Sequence, residues 1–258
     1  MKSTNLPHTL WNRIPCLLLV LRTIPLCLSL VVFGCATSNE NIAKVPEKRL
    51  VAQAQKKAEA IPTEIVAQTG TATDKNLDQR QRLRALPNKY LSQNIVVQPE
   101  IKRAVKSALT AKANGDVEGA RASLEQLAIN HPTLSGIKLH LGDIAIIAGQ
   151  LDKAKDYYQQ VISVNSDNYF AYNRLGSLYR QQGSFAQAKA NYQAALTSWP
   201  AFAEAHLNLA ILFDLYIGDK ASALHHYKIY QLLSENNQRR VKGWIVDVSA
   251  QLQRANSD

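Results

Sequence analysis

The chain has 258 residues, of which 46% are hydrophobic, 11 are glycine and three are cysteine. A chain of this length and composition can form one or two globular domains, and its composition excludes collagen-like proteins and disulfide scaffolds. The 30 Lys and Arg residues outnumber the 20 Asp and Glu residues, giving a net charge of +10. A surplus of this size favours an anionic partner only where it is concentrated on one surface.

Residues 1–34 have the composition of a targeting segment. Lys2 and Arg13 are basic, no acidic residue precedes Glu40, and an apolar run over 23–33 ends at the small Gly34. This order is typical of a secretory signal peptide that is removed after translocation. A membrane-spanning helix over 14–34 remains the alternative, although Arg22 near its centre would cost about 2.5 to 3.5 kcal/mol to insert.

The residues at the end of this segment carry a more specific signal. Val32, Phe33, Gly34 and Cys35 resemble the lipobox of bacterial lipoproteins. The resemblance implies cleavage before Cys35 and acylation of that residue, with palmitate among the attached chains. Two or more acyl chains make a stable membrane anchor, because each buried methylene contributes about 0.8 kcal/mol. An ordinary signal followed by an unmodified cysteine remains the alternative.

By the same resemblance, Ala36 implies an outer membrane lipoprotein that faces the periplasm of a Gram-negative cell. An N-terminally anchored protein of the inner membrane is the alternative.

The next segment, 35–99, is predicted to be a mostly disordered tether. It is rich in Ala, Gln, Lys and Thr, and Pro46, Pro62 and Pro87 interrupt any long helical periodicity. Segments with few apolar residues to bury remain extended or form only marginal helices.

A fixed period begins near residue 101. Gly115, Gly149 and Gly183 are spaced by 34 residues, and so are alanines five positions further on in each unit. One unit has the complete pattern of large and small residues at Tyr172, Leu175, Gly176, Tyr179, Ala188, Tyr192 and Pro200. This pattern resembles the tetratricopeptide repeat, a hairpin of two helices that buries its apolar face only by stacking on its neighbours.

The resemblance implies an all-α solenoid of about four hairpins. We expect them over 101–134, 135–168, 169–202 and 203–237. A capping helix over about 237–254 follows, and 238–258 forms the C-terminal helix and tail. The fourth unit has one extra residue within 214–218, so we expect a distortion where its two helices meet.

No local signature for catalysis, a metal site or a cofactor occurs in the sequence. We therefore expect no enzyme activity, no cofactor and no metal. The basic residues are scattered along the chain instead of forming a stripe, so nucleic acid is not an expected partner.

The family resemblance also predicts the partner-binding surface. Certain positions in the first helix of each tetratricopeptide hairpin face a concave groove that binds a protein or peptide. Here the predicted groove residues are Leu139, Asp143, Ile146, Phe170, Asn173, Ser177, Arg180, Leu207, Ile211 and Asp214. Aliphatic residues beside polar ones suit an amphipathic helix or an extended peptide. Alternatively, Ile146, Ile147, Leu207 and Ile211 pack against the tether or the end helix.

Taken together, these features predict a lipid-anchored scaffold that binds a protein partner in the bacterial envelope and helps to assemble a multiprotein machine. The repeat and the lipobox resemble those of lipoproteins that support pilus or secretin assembly or energised transport. A subunit that recruits or regulates a cell-wall enzyme is the main alternative, and an enzyme with an unrecognised site is a third hypothesis.

Overall fold

The computed structural model describes residues 72–234 and 238–257. The predicted signal peptide, the predicted acylation site Cys35, the predicted tether up to residue 71 and the last residues of the fourth unit lie outside the described residues.

The described residues form ten α-helices and contain no β-strand, which confirms the all-α prediction. Eight of these helices pair into four consecutive hairpins, one is N-terminal to them and one is C-terminal. In chain order the helices are α1 (Ala72–Ala85), α2 (Pro99–Ala113), α3 (Val117–Asn130), α4 (Ser135–Ile147), α5 (Leu151–Val164), α6 (Tyr169–Gln181), α7 (Phe185–Ser198), α8 (Ala203–Leu212), α9 (Lys220–Leu233) and α10 (Gln238–Ala255). None of them is long and apolar enough to cross a membrane.

Each hairpin turns at a glycine with left-handed backbone geometry. In the first turn, the Gly115 N–H donates to the Lys112 carbonyl (3.1 Å) and the Asp116 N–H donates to the Ala111 carbonyl (2.9 Å). The Asp116 carboxylate then accepts from the Gly119 N–H (2.8 Å) and caps the next helix. Glycine is favoured here because positive φ costs it no steric strain. The four equivalent glycines are Gly115, Gly149, Gly183 and Gly218, with φ from 70° to 95°.

The recurring Gly in the first helix is explained by close packing within the hairpin. Gly142 lies against the ring of Tyr158, and Gly176 lies against the ring of Tyr192. A Cβ atom at position 176 would lie 2.6 Å from two ring carbons of Tyr192. Both tyrosines are almost fully buried, so the absence of a side chain allows the two helices to approach.

The fourth hairpin contains a π-helical turn at Phe213–Ile217, directly after α8. The Gly218 N–H donates to the Phe213 carbonyl at 2.8 Å, five residues back, which accommodates the extra residue. The predicted distortion is therefore confirmed. It leaves Leu215, Tyr216 and Ile217 substantially exposed.

The last helix, α10, covers the apolar side of the fourth hairpin. Val241 and Val248 are buried against it, and the Trp244 ring lies 5.5 Å from the Tyr227 ring. Val246 on the same helix is 69% exposed, which shows that only one face is covered. A terminal helix of this kind shields the end of the stack from water.

The part of the predicted tether that the structure describes is folded, which differs from the extended segment expected for 35–99. Helix α1 packs Leu83 against Ala201, Ile229 and Leu233. The sequence of α1 has few apolar residues, so its stability depends on this tertiary contact more than on its own pattern.

Residues 84–98, which we call the strap, follow the edge of the stack where each hairpin joins the next. Arg84 donates to the Leu233 carbonyl (3.4 Å), and the Lys89 N–H donates to the Ser198 carbonyl (3.0 Å). Gln93 and Asn165 exchange two side-chain amide bonds, of 3.1 and 2.7 Å. The three partners lie at the ends of α9, α7 and α5, so the strap contacts a successive hairpin every four or five residues.

Candidate functional site

The candidate site is the surface that we call the inner wall: the predicted groove positions on α4, α6 and α8, the π-turn that follows α8, and the equivalent positions on α2. The described structure divides it into a central groove and an N-terminal cleft.

The polar residues of the central wall mostly connect one helix to another. Asp143 on α4 accepts from the Tyr158 hydroxyl (2.9 Å) and forms an ion pair with Arg174 on α6 (2.6 Å). Burial, followed by the neighbouring Asp143 charge, raises the pKa of Tyr158 far above its usual range, so this phenol stays a donor. Asp143 thus joins two successive hairpins as well as the two helices of its own hairpin.

Two other predicted wall residues make similar connections. The Asn208 side chain on α8 donates to Asn173 on α6 at 2.9 Å, and Asn173 is only 6% exposed. Ser177 accepts from the Tyr192 hydroxyl at 3.2 Å. Asn173 is therefore a buried link between hairpins, which differs from the exposed wall position that the repeat mapping implied.

Asp214 lies in the π-helical turn and connects it to α9. Its carboxylate accepts from the Lys220 ammonium group (2.7 Å) and from the Tyr227 hydroxyl (3.2 Å). Burial is the main cause of the raised pKa of Tyr227, and Asp214 adds to it. This pair of bonds stabilises the irregular turn.

The apolar members of the predicted groove differ in exposure. Leu139 is 7% exposed and belongs to the core, because it lies on the side of α4 that packs against the next hairpin. Phe170, Leu207 and Ile211 are half-buried against the same core, and Tyr90 of the strap packs edge-on to Phe170 at 6.3 Å. The strap therefore covers Phe170, a contact that the sequence did not predict, while Ile146 and Ile147 stay 38% and 60% exposed.

An open groove of about 450 Å³ remains at the centre of the wall. Ile146 lines it and is 38% exposed, and the guanidinium group of Arg180 lies 5.9 Å from the centre of the Tyr216 ring. The groove is lined by Asp143, Ile146, Tyr158, Arg174, Ser177, Leu178, Arg180, Gln181 and Tyr216. Four of the ten predicted groove residues, Asp143, Ile146, Ser177 and Arg180, thus share one surface.

The N-terminal cleft lies between the strap and the first helices of the first two hairpins, and its volume is about 580 Å³. Its walls are mainly aliphatic, with contributions from Ile95 and Val97 of the strap, Val105 and Leu109 of α2, and Ile137 of α4. Polar lining residues include Lys102, Lys106 and His140. Burial lowers the pKa of His140 below its usual range. The cleft is larger than the central groove.

Sequence reasoning missed this cleft for two reasons. The groove positions were assigned only in the second, third and fourth units, whereas the same positions of the first unit contain Lys102, Val105 and Leu109. Applying the mapping to that unit would have found one wall. The opposite wall belongs to the strap, whose long-range packing has no local pattern in the sequence.

Two histidines on α8 and α9 lie within hydrogen-bond distance of each other; His206 is buried and His226 is half-buried. His206 Nε2 lies 3.0 Å from the Pro200 carbonyl oxygen, and His206 Nδ1 lies 2.9 Å from His226 Nδ1. A carbonyl oxygen only accepts, so His206 has its proton on Nε2 and accepts from the His226 Nδ1–H. Burial lowers the pKa of His206 to about 4 and that of His226 well below its usual value.

Within residues 72–234 and 238–257, no group of three or more His, Cys, Asp or Glu side chains is arranged to hold a metal ion. The described inner wall contains grooves that are lined by both apolar and polar side chains.

Comparisons with known proteins agree with this fold. Two models of the tetratricopeptide repeat match residues 136–168 and 173–230. No curated protein matches the chain.

Among solved structures, a MamA fragment from Desulfovibrio magneticus RS-1 is similar, with a TM-score of 0.51 and 14% identity over 63% of this chain and 90% of that chain. A tetratricopeptide repeat protein from Parabacteroides merdae ATCC 43184 has a TM-score of 0.47 and 20% identity, over 56% of this chain and 57% of that chain. At 14% identity, the similarity to the MamA fragment concerns the fold alone.

A fold of this kind is a scaffold for protein–protein interaction. The repeat matches over 136–168 and 173–230, with the stacked helical hairpins of the described residues, show that this part of the chain is built from tetratricopeptide repeats.

Proposed function

We propose that the protein is a membrane-anchored scaffold of the bacterial envelope that binds a protein partner on its inner wall and helps to assemble a multiprotein machine. The observation that carries the proposal is the inner wall itself, where open grooves combine apolar and polar walls on adjacent hairpins. Such a surface suits an amphipathic helix or an extended peptide segment.

The contacts of the wall favour binding over catalysis. Asp143, Asn173, Ser177 and Asp214 are held by bonds to neighbouring helices. These bonds make the wall a rigid surface, because they stabilise the hairpins relative to one another. A rigid surface loses little conformational entropy when a partner binds.

The proposal of a lipid anchor is based on the sequence around Cys35. In this proposal, signal cleavage leaves Cys35 as the N-terminal residue, which is acylated and inserted in the outer membrane with the repeats in the periplasm. Detergent-phase partitioning of the wild type and Cys35→Ser tests it. The wild type should enter the detergent phase and the variant should stay in the aqueous phase, whereas equal partitioning into detergent would favour an uncleaved span.

The binding function is tested by chemical crosslinking in intact cells, followed by identification of the crosslinked proteins. We expect envelope assembly or transport components, and we expect Ile146→Asp to reduce their yield while the exposed Lys228→Glu does not. Recovery of cell-wall enzymes would favour the recruitment alternative. Equal yields from both variants would place the partner away from the central groove.

A further inference from the structure

We infer that the N-terminal cleft binds an acidic peptide segment of the partner, one that carries aliphatic or aromatic side chains beside Asp or Glu. This inference rests on the proposed function, which it deepens by specifying the chemistry of the partner and the part of the wall that receives it. Three features of the cleft support it.

The first feature is the apolar lining. Side chains from the strap, α2 and α4 converge on one space of about 580 Å³, a volume typical of ligand sites. Leu91 and Ile95 of the strap are 64% and 49% exposed. These aliphatic surfaces lose their contact with water when an apolar side chain enters, which is the main driving force for binding.

The second feature is charge. Lys102 and Lys106 are four residues apart on α2, so they project from the same side of that helix. Among the described residues that line the cleft, none is Asp or Glu. An acidic group on the ligand would therefore meet positive charge without competition from a carboxylate in the lining.

The segment of chain around the cleft also has a net positive charge. Within residues 86–113, five basic residues accompany a single acidic one, Glu100; the basic ones are Lys89, Lys102, Arg103, Lys106 and Lys112. Glu100 pairs with Arg103 at 3.2 Å, with both side chains largely exposed. This local surplus attracts an acidic segment and repels a basic one.

The third feature is the contrast with the central groove. There the lining contains two arginines, Arg174 and Arg180, and one carboxylate, Asp143, which is already paired with Arg174. An incoming carboxylate would compete with this ion pair at the centre of the wall, whereas the lysines of the cleft have no such partner within the lining. Charge complementarity therefore favours the cleft for the acidic part of the partner.

The experiment is selection of random peptides displayed on phage against the full chain, followed by measurement of affinity for the selected peptides. We expect the selected peptides to combine acidic with large apolar residues. Binding should weaken about ten-fold or more in Lys102→Glu with Lys106→Glu, because like charges then face each other. It should also weaken at high salt, which screens exposed charges.

Two further variants test the apolar contribution to binding and the effect of net charge alone. Ile95→Ser should weaken binding through loss of the apolar strap wall, without a change in the melting temperature, since this side chain is half exposed. The matched control, Lys153→Glu with Lys228→Glu, makes the same change in net charge on exposed surfaces of α5 and α9 and should leave the affinity within about two-fold of the wild type.

Several outcomes would overturn the inference. Selection of neutral or basic peptides, equal binding to the Lys102→Glu and Lys106→Glu double variant, or no selected peptide at all would each do so. If peptide binding were lost in Ile146→Asp but retained in the double lysine variant, the peptides would bind the central groove. That result would contradict this inference and leave the proposed function intact. A crosslinked partner unaffected by any inner-wall variant would contradict the proposed function itself.

Discussion

At the scale of single residues, the described structure explains why the repeat needs glycine in the first helix. Gly142 and Gly176 lie directly against tyrosine rings of the paired helix. The sequence could predict both positions, because the spacing from Gly to Tyr recurs with the repeat. It could not predict which polar wall residues are buried, since Asn173 pairs with Asn208 only through the stacking of two hairpins.

We predict that Gly176→Ala lowers the free energy of unfolding by about 1 to 3 kcal/mol, because the new methyl group overlaps the Tyr192 ring. Thermal or denaturant unfolding measures this change. Gly243→Ala in the interior of α10 is the control, since its methyl group meets no atom within 4 Å. It should raise stability by up to about 1 kcal/mol through reduced backbone entropy of the unfolded chain. An unchanged stability of Gly176→Ala would contradict the close contact.

The buried His206 predicts a pH dependence of stability. His206 has a folded pKa of about 4, below its usual value, so the unfolded chain binds the proton more tightly. The contribution of His206 to stability is therefore present above about pH 6.5 and is lost as the pH falls toward 4. Protonation would also place two N–H donors against each other, because the His206 Nδ1 now accepts from His226.

Between pH 7 and pH 5.5, protonation of His206 should lower the unfolding free energy by about 1 kcal/mol. Denaturant unfolding at both pH values measures the loss. His206→Gln, which keeps a donor near the Pro200 carbonyl, should show a smaller loss over the same interval. Identical pH slopes for the two proteins would show that His206 does not titrate on unfolding.

At the scale of helices and connecting segments, periodicity predicted the hairpins and the distorted fourth turn, because both depend on local spacing. The fold of residues 72–98 could not be predicted in this way. Helix α1 and the strap are stabilised by contacts with residues more than 70 positions away, such as Asn165 and Leu233. Composition alone favoured an extended tether there.

We predict that Tyr90→Ala loosens the strap. Tyr90 packs edge-on against Tyr169 and Phe170, and each aromatic contact contributes about 0.5 to 1.5 kcal/mol. Hydrogen exchange should become faster at the Lys89 amide, which donates to the Ser198 carbonyl. Leu91→Ala is the control, because Leu91 is 64% exposed. Unchanged exchange at Lys89 in Tyr90→Ala would mean that the ring does not hold the strap.

Two valines test the role of α10 as the end cap. Val248→Ala should destabilise the protein by about 2 kcal/mol, because this side chain is completely buried and its loss leaves a cavity. Val246→Ala changes the same residue type on the exposed face of the same helix and should have little effect. Comparison of the two denaturation midpoints measures the difference, and equal midpoints would contradict the proposed cap.

At the scale of the whole molecule, the recurring sequence pattern predicted the all-α fold of stacked hairpins. It predicted only part of the candidate binding surface. The sequence indicated the central groove through Asp143, Ile146, Ser177 and Arg180. It missed the N-terminal cleft, because one of its walls comes from the strap. The proposed location in the bacterial envelope is inferred from the sequence around Cys35, which lies outside the described residues.

We propose that the inner wall is the surface that binds a protein partner. The most direct test introduces a photoreactive amino acid, one position at a time, at Ile146 and Leu109 on the wall and at the exposed Lys153 and Lys228 on the second helices, and irradiates intact cells. We expect a specific crosslinked partner from the two wall positions and little from the two control positions. Equal crosslinking from all four positions, or crosslinking only from the second helices, would contradict it.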